Sequence, residues 1–120
     1  MNTLSTHVLD TSIGRPATGI RVTVERLSPS DAGTFGTESL IVGAGTTEAN
    51  GRVADLITAR ETFIPGTYRL RFDVAEYFGR TGSAVFYPEI IVMFVVESDD
   101  EHYHIPLLLN PFGYSTYRGS

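Results

Sequence analysis

The sequence predicts an all-β protein: a β-sandwich of seven to eight short antiparallel strands with one short helix, spanning residues 1–120 as a single domain. Three observations carry this. Apolar and polar residues alternate along several short runs, the period of a half-buried strand. Turn-type clusters of Gly, Pro, Asn and Asp separate the runs at regular spacing. Only one segment, just after Phe72, has the residues that start a helix. A chain of 120 residues is long enough to bury its own core.

The elements follow in order. Thr3 to Leu9 alternates loosely and reads as the first strand, with Ser5, His7 and Leu9 on one face. Asp10 to Gly19 is a loop, broken by Gly14-Arg15-Pro16. Ile20 to Leu27 is a strand with Ile20, Val22 and Val24 inward and Arg21, Thr23 and Glu25 outward. Ser28 to Thr37, rich in Ser, Gly and Asp with one aromatic, Phe35, reads as a mobile surface loop. Leu40 to Gly45 is a short strand. Asn50-Gly51 marks a tight turn that Arg52 follows directly, and Val53 to Ile57 reads as a brief edge strand.

After a turn at Pro65-Gly66, Thr67 to Phe72 alternates cleanly, with Tyr68, Leu70 and Phe72 inward. Asp73 and Glu76 then form a capping-box pattern, predicting a helix over about Val74 to Phe78 that stops near Gly79 or Gly82. Ile90 to Val96, IIVMFVV, is apolar throughout. Such a run is buried on both faces, so it predicts a cover beyond the domain's own core, most simply another subunit. Ser98 to Glu101 is an acidic turn.

His102 to Ser120 reads as a hairpin about Asn110-Pro111-Phe112-Gly113. That turn pairs Leu109 with Tyr114, Pro106 with Tyr117 and His104 with Gly119. It puts His104, Pro106, Leu108, Ser115, Tyr117 and Gly119 on one face. An imidazole, a phenol and a hydroxyl are an odd choice for a core, so this face points to function.

Composition closes several routes. With no cysteine, disulfides, thiolate metal sites and cysteine nucleophiles are out. All nine basic residues are arginine, which removes Schiff-base chemistry. A net charge of −5 argues against a nucleic-acid partner. No apolar run approaches membrane-span length, so no membrane partner is expected. MNTLSTHVLD lacks the features of a signal peptide and the RGS end is not a peroxisomal address, so a cytoplasmic location is expected.

The candidate chemistry lies in His7, His102, His104, Arg52 and Tyr117. A single histidine is usually a surface or hydrogen-bonded residue, and His102 at a strand end reads that way. His104 differs because it shares a face with Tyr117. His-x-His with His7 could hold zinc, but only if all three side chains converge on one ion, and no Asp or Glu stands as an evident partner. Arg52, after a tight turn, could present a planar fork to an anionic or imide-like ligand. There is no G-x-S-x-G elbow and no phosphate loop.

The terminal YRGS, within HYHIPLLLNPFGYSTYRGS, together with LSTHVLD and ANGR, resembles the three motifs of the 5-hydroxyisourate hydrolases, transthyretin-like enzymes of urate breakdown. With FIPGTYRLRFDVAEYF, the likeness covers nearly the whole chain. Asn110 departs from the serine usual in the turn, and the Ser28–Thr37 loop is longer than in the family.

The resemblance implies a transthyretin/prealbumin-like sandwich that hydrolyses the cyclic amide of 5-hydroxyisourate to 2-oxo-4-hydroxy-4-carboxy-5-ureidoimidazoline, without metal or organic cofactor. It implies His7, Arg52 and His104 as the catalytic residues, with His102 a bystander. Tyr117, Arg118, Gly119 and Ser120 would then close the substrate site. It also implies a homotetramer, a dimer of dimers with the sites in a central channel. The alternative is a transthyretin-like carrier that holds a small aromatic ligand in that channel without turnover.

Overall fold

A computed structural model describes residues 1–29 and 35–120. Nine strands, two of them only two residues long, form two sheets among these residues. They are β1 (Thr3–Asp10), β2 (Arg15–Pro16), β3 (Arg21–Pro29), β4 (Phe35–Thr46), β5 (Arg52–Val53), β6 (Gly66–Asp73), β7 (Ile90–Val96), β8 (His102–Asn110) and β9 (Gly113–Thr116). The helix α1 covers Val74–Thr81. One sheet runs β2-β1-β8-β9, with β5 also on β1; the other runs β4-β3-β6-β7.

The β1–β8 pair is parallel, an exception to the antiparallel expectation. A parallel pair requires the chain to cross over between its strands. Here the intervening chain builds the whole second sheet. The inner faces meet in one core: Leu4 and Val8 from β1 and Ile105, Leu107 and Leu109 from β8, against Val22 and Val24 from β3 and Leu70 and Phe72 from β6. The alternation expected of β3 and β6 holds, and it fixes the outer faces by default.

Four expectations change. β3 and β4 run into the expected Ser28–Thr37 loop from both sides, pairing Pro29 with Phe35; the remainder of that loop lies outside the described residues. The expected Val53–Ile57 strand shrinks to β5 plus an isolated bridge from Ile57 to Gly43. Asp73 precedes α1 but makes no side-chain cap bond. It is also the last residue of β6, and the Ala75 amide is met by the Pro88 carbonyl instead. The helix continues past Phe78 to end on Gly82, whose φ of 75° suits the left-handed cap.

The fourth change concerns β7. Ile90 and Val96 are buried, but Ile91, Met93 and Val95 are 43–60% exposed. Within one chain, therefore, β7 is an edge strand with an open apolar outer face. No helix among the described residues is long and apolar enough to cross a membrane.

Candidate active site

The site is built on the outer face of the β1/β8 sheet, and the strand register assembles it. β5 pairs with β1 so that Arg52 stands beside His7. β1 pairs with β8 so that His7 stands beside Pro106 and Ser5 beside His104. An isolated bridge joins His104 to Gly119, as the turn-based register predicts. His7 and His104 are therefore diagonal neighbours on adjacent strands, roughly 8 Å apart between Cα atoms from strand spacing and rise. Residues 97 positions apart in the chain meet here because the β1–β8 pair is parallel.

Two glycines permit the close approaches. Gly51 sits at φ 77° in the Asn50-Gly51 turn, with its amide donating to the Glu48 carbonyl. A Cβ there would lie 2.5 Å from the Val8 carbonyl oxygen and 3.3 Å from the His7 ring. Only a glycine lets this turn dock on β1 and deliver Arg52 beside His7. Gly119 lies against His104 in the same way: its amide donates to the His104 carbonyl at 2.8 Å, and a Cβ would meet His104 Cδ2 at 2.6 Å.

His104 is half-buried. Burial lowers its pKa below the usual histidine range, and the positive charges of Arg52, His102 and His7 push the same way. The ring is thus neutral and able to accept a proton at neutral pH. Arg52 is exposed and joins no ion pair among the described residues. Its charge is available to a ligand.

The C-terminal tetrapeptide splits. The β8–β9 ladder ends at Leu107–Thr116, so Tyr117 is not paired with Pro106 as expected; contact resumes at Gly119. Tyr117 is exposed. Arg118 is committed elsewhere, with its guanidinium 2.8 Å from the Glu101 carboxylate and over the Tyr103 ring at 4.9 Å. Gly119 thus meets His104, while the Arg118 side chain is turned toward Glu101 and Tyr103. A groove of about 210 Å³ opens between β7 and this tail, lined by Met93, Val95, Tyr103, Ile105, Tyr117 and Arg118 among others. No histidine lines it.

Sequence reasoning passed over one part of the site. The Ser5 hydroxyl lies 2.7 Å from His104 Nδ1 and 2.8 Å from His102 Nε2, and Thr3 Oγ1 lies 2.5 Å from His102 Nδ1. The signal was present, since Ser5 shares the face of His7, but it needed the β1–β8 register to become a contact. No group of three His, Asp or Glu side chains among the described residues is placed to hold a metal ion.

Known proteins resemble this chain along nearly its whole length. The HIUase/Transthyretin family matches residues 4–119. A 5-hydroxyisourate hydrolase of Salmonella typhimurium is 40% identical over 119 residues, covering 99% of this chain and 82% of that one. Another, from Halalkalibacterium halodurans, is 41% identical over 121 residues, covering 98% and 97%. Among solved structures, the Klebsiella pneumoniae 5-hydroxyisourate hydrolase superposes with a TM-score of 0.78 at 36% identity, covering 98% of this chain and 99% of the other. Sea bream transthyretin in complex with thyroxine superposes at 0.80 and 31% identity, covering 97% and 93%. The fold is therefore transthyretin-like.

Proposed function

Because the chain belongs to the HIUase/transthyretin family, we propose that it hydrolyses 5-hydroxyisourate in urate degradation, opening the six-membered ring to 2-oxo-4-hydroxy-4-carboxy-5-ureidoimidazoline. Residues 1–120 act in this reading as one transthyretin-like domain. The observation that carries it is the convergence of Arg52, His7 and His104 on three neighbouring strands.

The chemistry follows from the side chains. His104 and His7 are the base that takes a proton from water and its relay partner, which in protonated form returns one to the leaving ring nitrogen. The hydroxide attacks the ring carbonyl, and negative charge develops on its oxygen. Arg52 orients the substrate and stabilises that charge. As the oxyanion collapses, the carbonyl–nitrogen bond breaks and the nitrogen takes the returned proton. Tyr117, Gly119 and Ser120 shape the pocket by direct contact. Arg118, held by Glu101 and Tyr103, contributes by anchoring the tail. The steps need no metal or cofactor, so turnover should persist in excess EDTA.

The working form is a homotetramer, a dimer of dimers. Two features support this: the exposed Ile91, Met93 and Val95 of β7, and a histidine face that one chain leaves half-open. Sedimentation should give a tetramer, and a fully active monomer would overturn it. A cytoplasmic location goes with this reading, and cell fractionation tests it.

The likeness to transthyretin with thyroxine supports a second reading, a carrier of a small aromatic ligand without turnover. The deciding measurement is the ultraviolet decay of freshly made 5-hydroxyisourate. Acceleration by the protein is expected. Decay at the spontaneous rate would leave the carrier.

A further inference from the structure

We propose that Ser5 and His102 form a relay that sets the tautomer of His104 and carries its proton to the surface, so that His102 is a working part of the site. The inference rests on the hydrolase reading and adds two positioning residues to it.

The parallel register builds the relay. It sets Thr3 beside His102 and Ser5 beside His104, all on one face. Ser5 Oγ then sits between the two rings, 2.7 Å from His104 Nδ1 and 2.8 Å from His102 Nε2. His102 Nδ1 is 2.5 Å from Thr3 Oγ1. His104 Nε2 has no hydrogen-bond partner among the described residues, which leaves it for the reaction.

A hydroxyl has one proton to donate and accepts through its lone pairs. Ser5 therefore cannot donate to both rings: where it donates to one, it accepts from the other. With both rings neutral, two arrangements exist. In the first, His104 Nδ1–H donates to Ser5, Ser5 donates to His102 Nε2, and His102 Nδ1–H donates to Thr3. His104 Nε2 then has a free lone pair and can act as a base. In the second, every bond is reversed and His104 Nε2 carries a proton. The two imidazoles are thus coupled through a single serine.

The proton count closes. The O–H bond of the attacking water breaks and an N–H bond forms at His104 Nε2. His104 Nδ1–H passes to Ser5 Oγ, and the proton of Ser5 passes to His102 Nε2. His104 stays neutral, and the positive charge appears on His102. Since His104 is half-buried and faces Arg52 and His7, a charge there is disfavoured. His102 is exposed, so the charge ends in water and the proton leaves to solvent.

Four variants and one spectrum test this. Ser5→Ala should lower kcat about 10- to 100-fold with little change in KM, and Ser5→Thr should restore most of it. His102→Gln should lower kcat similarly. The double variant should be no slower than Ser5→Ala alone, because both break one chain. Losses that multiply, a Ser5→Thr as slow as Ser5→Ala, or a Ser5→Ala of wild-type rate would each overturn the relay. Nitrogen-15 spectra of the histidine rings need no substrate, so they decide even if the hydrolase reading fails. Resting His104 protonated at Nδ1, with that preference lost in Ser5→Ala, supports the relay. His104 resting protonated at Nε2 overturns it.

Discussion

On the outer face of the β3/β6 sheet, Glu25 receives Arg69 and Arg71, each at 3.0 Å, and Arg71 also pairs with Glu89. On the outer face of the β1/β8 sheet, Arg52 has no carboxylate partner among the described residues, and His7 and His104 stand near it. Both faces are polar and both are built on strands of the same core. The first pairs the charges around Glu25. Burial alone would raise the Glu25 carboxyl, yet hydrogen bonds from Arg69, Ser39 and Arg71 outweigh it and hold it at about 2. The second leaves a cation and a neutral base unsatisfied. A face that completes itself stabilises the fold; a face left incomplete is free to bind and react.

Substitutions separate the two. The largest effect should come from His104→Ala, lowering kcat/KM about 10²- to 10⁴-fold with the thermal midpoint little moved. An unchanged rate would break the comparison at its functional end. Next is Gly119→Ala. The added Cβ would press on the His104 ring at 2.6 Å. A small misplacement of that ring should cost about 10- to 100-fold in turnover, measured in the same assay.

Glu25→Gln should do the reverse. It leaves Arg69 and Arg71 without their carboxylate and should cost about 2–3 kcal/mol of stability by denaturant unfolding, with turnover unchanged. The pH dependence of wild-type stability carries the same signature. With its folded pKa held at about 2 against an ordinary 4.5, Glu25 contributes fully above pH 4.5, and its contribution is lost as pH falls toward 2. Glu25→Gln should flatten that acid limb.

The smallest effect concerns His104. Its folded pKa lies below 6.5, so the unfolded chain binds more protons in that interval, and His104 weighs against stability as pH falls through it. In catalysis the sign is favourable: the base stays neutral to lower pH. The acid limb of kcat/KM should therefore lie below 6.5. A limb at or above 6.5 would mean that His104 is not the group whose ionisation limits the rate.

Much of this was legible in local pattern. The turn Asn110-Pro111-Phe112-Gly113 set the hairpin register, and Leu109–Tyr114 and His104–Gly119 pair as counted from it. Alternation put Tyr68, Leu70 and Phe72 in the core, and His7 and His104 on the outer face of the other sheet. These are consequences of a two-residue period and need no knowledge of partners. The capping-box pattern at Asp73 located the start of α1, although Asp73, also the last residue of β6, makes no side-chain cap bond. The continuous apolar run of β7 signalled two apolar faces, but only the inner one is covered within the chain.

The sequence by itself determined which residues face outward and which short turns bring neighbours together, because those depend on contacts a few residues long. It also singled out His7, Arg52 and His104 as candidates. Only the tertiary structure decided that they share a face. Their meeting depends on a parallel pair between the two ends of the chain, and no local period encodes which distant strand lies alongside. The same register seated Ser5 between two imidazoles, and the return of the tail onto β8 at Gly119 set Arg118 beside Glu101 and Tyr103. Side-chain direction follows from the strand; side-chain company follows from the fold.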